Sequence, residues 1–155
     1  MALLAVHASP PVVSTASRRW DFTAIRAGAV ISLVFAVPLA IGARIAADGD
    51  HDGVAVSLSI GATIGFLIGA GCAAWIQRAG TPLSHGMVTA GGTYIITQAV
   101  FIAVRLIRGE DVRWFGTVFT FTIVLFAGLV GGLLGRHLQA SGFQPSAKAE
   151  RKEQR

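Results

Sequence analysis

The sequence predicts an all-α fold, an integral membrane four-helix bundle, on three observations. Four apolar stretches, at residues 27–46, 54–76, 87–107 and 114–134, are separated by short hydrophilic breaks. Each has about the twenty residues that a helix needs to cross roughly 30 Å of hydrocarbon. Hydrophobic residues make up 53% of the chain and charged ones only 14%, where a soluble domain carries about a quarter.

Nearly all charge lies between or beyond the stretches, as expected where an ionised side chain at mid-bilayer costs about 3 kcal/mol or more. This predicts one transmembrane domain over residues 21–140, flanked by disordered cytoplasmic tails at 1–20 and 141–155. The first tail opens on a short apolar run that Pro10 and Pro11 break. It lacks the basic start and longer apolar centre of a secretory signal. The second is basic and poor in large apolar groups, a composition that does not build a core. The net charge of +5 follows from arginines and lysines at helix ends and in the tails. Topological sorting accounts for them better than nucleic acid does.

Orientation follows from where these residues fall. Arg18, Arg19, Arg26, Arg78, Arg136, Lys148, Arg151, Lys152 and Arg155 share one side, against Arg44, Arg105, Arg108 and Arg113 on the other. The poorer side also holds Asp48, Asp50, Asp52, Glu110 and Asp111. Both termini are therefore expected in the cytoplasm. Trp20 and Trp75 would sit at the inner boundary and Trp114 at the outer one, where amphipathic rings settle.

In the first span, Pro38 removes a backbone donor and predicts a kink. Arg44 can reach outward to the head groups. The loop that follows, Asp48-Gly49-Asp50-His51-Asp52-Gly53, matches the first half of an EF-hand. Its twelfth position is Ser59 rather than a bidentate Glu, so it is not one. Asp48, Asp50 and Asp52 remain weak metal candidates beside a plainer reading as turn residues that favour the start of the second span.

The second span carries Gly61, Gly65 and Gly69, and the fourth carries Gly128, Gly131, Gly132 and Gly135. Four-residue spacing lines such glycines along one strip and lets another backbone approach closely. They predict packing within the chain, or else a seam between copies or a glycine-lined pore. Cys72, the only cysteine, has no intrachain disulfide partner and reads as a small packing residue. The first and second pairs of spans resemble each other: Ala43-Arg44-Ile45 and Val104-Arg105-Leu106 close spans one and three, and Arg78 and Arg136 close spans two and four. Two hairpins in parallel repeat would explain this.

The third span is the most polar. Val88, Ile95, Ala99, Ile102 and Leu106 form a lipid-facing stripe at 100° per residue, and His85, Thr89, Thr93, Tyr94, Thr97, Gln98 and Arg105 occupy the other side. Amides and phenols at that depth require partners. Ser57, Ser59 and Thr63, or Thr117, Thr120 and Thr122, could supply them. His85, Thr93, Tyr94, Thr97, Gln98 and Arg105 form the candidate polar path, beside the alternative of interhelical fastening. His85 is expected near the membrane surface, as a polar residue at a helix start, with a proton-responsive role as the alternative.

No span centre carries an acid and no His-Glu-x-x-His motif occurs, so neither a carboxylate pair nor a zinc site supports catalysis. No enzyme and no cofactor are expected. The glycine-rich second span, Leu83-Ser84-His85-Gly86 opening the third, and a fourth ending at Gly135-Arg136 resemble small bacterial four-helix membrane proteins over residues 21–140. Such proteins have no established activity, so the resemblance implies fold and location and transfers no functional residue. The expected role is an accessory or assembly component, with the lipid bilayer and a membrane protein or a second copy as partners. The alternative is a small transporter or channel subunit. Nucleic acid is not expected.

Overall fold

Each apolar stretch folds as a helix longer than its membrane-crossing part, because residues in the hydrophilic breaks supply the ends. In the computed structural model, which describes residues 20–143, the order is α1 (Phe22–Asp48), α2 (Asp52–Ile76), α3 (Pro82–Ile107) and α4 (Trp114–Ala140). All four are long and apolar enough to cross a membrane. The Asp21 side chain accepts from the Ala24 N–H at 3.1 Å and opens α1 five residues before the expected span. Pro82 opens α3, where its missing donor costs nothing. Pro38 lies inside α1, which continues through it. The turn between α1 and α2 places Asp50 at φ 58°, and Gly109 at φ 70° turns the chain out of α3, a region that suits glycine and, next best, Asn or Asp.

Expected tail residues 1–19 and 144–155 lie outside the described residues. The borders of those tails are packed: Trp20 faces the His85 ring, and the Phe143 carbonyl accepts from Trp75 Nε1 at 2.7 Å.

α2 and α3 each pack against all three other helices, whereas α1 and α4 do not meet. The core is built from small residues, with Ala36, Ala62, Ala70 and Ala90 buried around Phe66, Tyr94 and Val124. Large apolar side chains such as Val34, Ile64, Ile96 and Phe126 point outward, the inversion that lipid permits.

Glycines set the closest approaches. A Cβ on Gly65 would lie 2.9 Å from Phe35 Cβ of α1. One on Gly128 would lie 2.8 Å from Ala90 Cβ of α3, and one on Gly132 would be 3.1 Å from Leu83 Cα. Gly131 and Gly135 face α2 instead, at 2.9 Å from the Gly71 nitrogen and 2.8 Å from the Trp75 nitrogen. Gly61 meets only the Leu39 side chain, at 3.2 Å. Gly28 of α1 abuts the Gly69 carbonyl and Ala73, and Gly86 of α3 abuts the Gly128 carbonyl and Gly132. The first hairpin's crossing thus recurs in the second.

Candidate functional site: the polar face of α3

The start of α1, the α2–α3 link and the end of α4 lie together at one end of the bundle, its near end. The α1–α2 and α3–α4 loops form the far end.

The polar residues of α3 divide between two places. Toward the far end, Tyr94 Oη donates to the Thr117 carbonyl at 2.9 Å, and Gln98 Nε2 donates to Thr117 Oγ1 at 3.2 Å. Thr117 of α4 is the partner for both. Thr97 turns back on its own helix and donates to the Thr93 carbonyl at 2.8 Å. Ser57, Ser59 and Thr63 likewise bond to carbonyls of α2, so none of the three serves α3. Between α3 and α4 a groove of about 260 Å³ opens beside Tyr94, Gln98, Thr117 and Phe121. It arises because the helices touch through Gly86, Ala90, Gly128 and Gly132 toward the near end and are spaced by Tyr94 and Phe121 beyond it.

Arg105 belongs to neither group. Its Nη1 donates to the Asp111 carbonyl at 3.2 Å, and Nε lies 4.0 Å from Glu110, which Arg108 holds at 3.0 Å. The guanidinium fastens the α3–α4 loop and stands apart from the Tyr94–Gln98 pair. Arg44 of α1 lies over the Phe101 ring at 5.7 Å.

His85 stands in the first turn of α3, the helix start expected for it, and is fully buried, among the largest such side chains of the described residues. Nδ1 lies 2.8 Å from the Thr81 carbonyl and 3.1 Å from its hydroxyl, while Nε2 lies 2.9 Å from the Asp21 nitrogen. A carbonyl can only accept and a backbone N–H can only donate. The ring is therefore neutral with its hydrogen on Nδ1, and Nε2 accepts from Asp21. The Asp21 carboxylate completes the arrangement by accepting from the Arg78 N–H at 3.2 Å.

Two glutamines that sequence reasoning passed over extend this cluster. Gln77 is buried; its Oε1 accepts from the Thr81 N–H at 3.4 Å, and its Nε2 donates to Gln139 Oε1 at 3.4 Å. Gln139 Nε2 in turn reaches the carbonyls of Ala74, Trp75 and Gln77 at 3.1, 2.7 and 3.0 Å. Hydrogen bonds thus run from the start of α1 through the α2–α3 link to the end of α4, joining two helices that do not touch.

Two further hydroxyls, Ser32 Oγ and Thr89 Oγ1, are buried without a hydrogen-bond partner. They stand where α1, α2 and α3 meet at Gly28 and Gly69. The weak metal candidates do not assemble: among the described residues no three His, Cys, Asp or Glu side chains could hold an ion. Asp48 ends α1 and Asp52 begins α2, and the His51 ring turns to the Gly49 carbonyl.

No protein-family model matches the chain, and neither a curated protein nor a solved structure is found to be similar to it. Fold and membrane-spanning character therefore stand on the four helices themselves.

Proposed function

We propose that this chain is an accessory or assembly component of a membrane-protein complex in a bacterial cytoplasmic membrane, with both termini in the cytoplasm. One observation carries the reading. The polar groups of α3 at bilayer depth, Tyr94 and Gln98, both end on Thr117 of the same chain. A polar face used in this way holds helices together and leaves the protein its outer surface as the part it offers to others. Orientation rests on the arginine and lysine distribution of the sequence and on Trp20 and Trp75 at the near end. Extraction in mild detergent followed by native mass spectrometry tests the role. A heteromeric partner retained in stoichiometric amount is the expected result.

A small transporter or channel subunit is the second reading, favoured by the groove beside Tyr94, Gln98 and Thr117. A closed homo-oligomer without partner, together with solute flux in liposomes, would support it. Flux that Tyr94→Phe, Gln98→Ala and Arg105→Ala all leave unchanged would remove α3 as its path.

A further inference from the structure

We propose that His85 is a proton-operated latch that holds the start of α1 on the bundle when neutral and releases it when charged. The ring is fully buried, and what covers it is the Trp20–Asp21 step. The Trp20 ring centroid stands 5.5 Å away, and the Asp21 N–H points at Nε2 from 2.9 Å. Both of those residues are themselves only partly buried. The neutral ring fits because its one hydrogen is on Nδ1, against Thr81, and its one lone pair is on Nε2, against Asp21.

A second proton must go on Nε2. There it meets the Asp21 N–H, and two donors then face each other where one bond stood. The Asp21 carboxylate, on the same residue, can accept the new N–H, and each of its oxygens already accepts one N–H. Oδ1 caps α1 at the Ala24 N–H, and Oδ2 holds the Arg78 N–H of the α2–α3 link. Turning toward the imidazolium pulls the carboxylate away from both contacts. The cap of α1, its tie to the link and the Asp21–His85 bond all meet at Asp21, so loss of the last loosens the other two.

The surrounding charges allow this. From α1 the ionisable group at the ring is Asp21, and from the link it is Arg78, whose side chain is exposed. α2 contributes the neutral Gln77 by way of Thr81. Arg136 and His137 of α4 are exposed. Gly28, in the second turn of α1, meets Gly69 and Ala73, so the release is confined to the Trp20–Asp21 step and the first turn of α1, ahead of that crossing. Because the proton can reach Nε2 only when Trp20 and Asp21 have lifted, acid draws the population toward the lifted state.

The test uses the full chain in lipid nanodiscs, with nitrogen-15 NMR of the histidine rings, amide exchange at Ala24, and emission from Trp20 in a Trp75→Phe, Trp114→Phe background. Between about pH 8 and about pH 5, His85 should pass from the Nδ1–H form to the doubly protonated one. In step, Trp20 emission should shift to longer wavelength as the indole leaves the His85 ring for water, and Ala24 exchange should quicken about tenfold. His85→Gln supplies an acceptor for Asp21 and a donor for Thr81 without the charge. It should hold both readouts at their high-pH values, and Asp21→Asn should move the transition to lower pH. The latch is overturned if His85 stays neutral to about pH 5, if it charges while Trp20 and Ala24 do not respond, or if His85→Gln responds to pH as the natural chain does. Should His85→Gln lose helicity, NMR and exchange on the natural chain decide alone.

Discussion

Gln139, in the last turn of α4, stands 2.7 Å from the carbonyl oxygen of Trp75, in the last turn of α2. The last carbonyls of a helix have no partner within it, and the α2 terminus, at Gln77 with φ −59° and ψ 147°, lacks the left-handed glycine that often closes one. A side chain from a helix more than sixty positions later closes it instead. Replacing Gln139 with Ala leaves the Ala74, Trp75 and Gln77 carbonyls to compete for water at the membrane edge. A loss of about 1–3 kcal/mol is expected, read as a lower unfolding midpoint in detergent and faster amide exchange over residues 77–81. Gln139→Glu, which has no amide donor, should behave like the alanine variant.

Glycine substitutions should divide by what faces them. A Cβ on Gly86 would lie 2.7 Å from the Gly128 carbonyl and 2.8 Å from Gly132 Cα, both backbone atoms of α4, whereas one on Gly92 of the same helix meets nothing within 4 Å. Gly86→Ala should force α3 and α4 apart and destabilise by about 1–3 kcal/mol. Gly92→Ala should be neutral or stabilise by up to about 1 kcal/mol through helix propensity. Thermal unfolding of the two variants in one detergent compares them directly.

The Thr117 junction can be taken apart bond by bond. Tyr94→Phe removes a donor to its carbonyl, and Thr117→Val removes the acceptor for Gln98. Each is expected to cost about 0.6–2 kcal/mol, the range for side-chain hydrogen bonds between membrane helices. The double variant should show a coupling of less than about 0.5 kcal/mol, because the bonds use different atoms of Thr117. A larger coupling in a steric-trapping or chemical unfolding experiment would mean that the junction acts as one unit.

Ser32 and Thr89 make the opposite prediction. Their hydroxyls are buried without partners, so Ser32→Ala and Thr89→Val remove polar atoms that contribute no bond. Both should be neutral or raise stability by about 1 kcal/mol. A loss of that size in either variant would point to a water bridging the two hydroxyls.

The four helices were legible because length and hydropathy alone define a membrane span. Their ends were not: Asp21 and Pro82 lie in hydrophilic segments, and only their capping roles join them to the helices. Glycine spacing marked strips suited to close contact, but a strip does not name its neighbour. Gly61 shares the spacing of Gly65 and Gly69 yet meets one leucine tip, while the lone glycines Gly28 and Gly86 each abut the backbone of a facing helix. Their signal was present as Gly28-x-x-x-Ser32 and Gly86-x-x-x-Ala90, small residues four apart on the facing helices. Tyr94 and Gln98 stood out because polar groups are rare at that depth. Gln77, Gln139 and the burial of His85 did not, because a cap supplied from a distant helix has no local pattern.

The glycine crossings carry a schedule for biogenesis. Gly28 meets Gly69, and Gly86 meets Gly128, each within one hairpin, whereas Gly71 and Gly131 join the hairpins to each other. The first pair of helices can close on itself while the ribosome is still making the third, with only a short loop to order. The second pair repeats the step, and docking of two finished halves comes last. Nascent chains stalled after α2 should therefore already hold their first crossing.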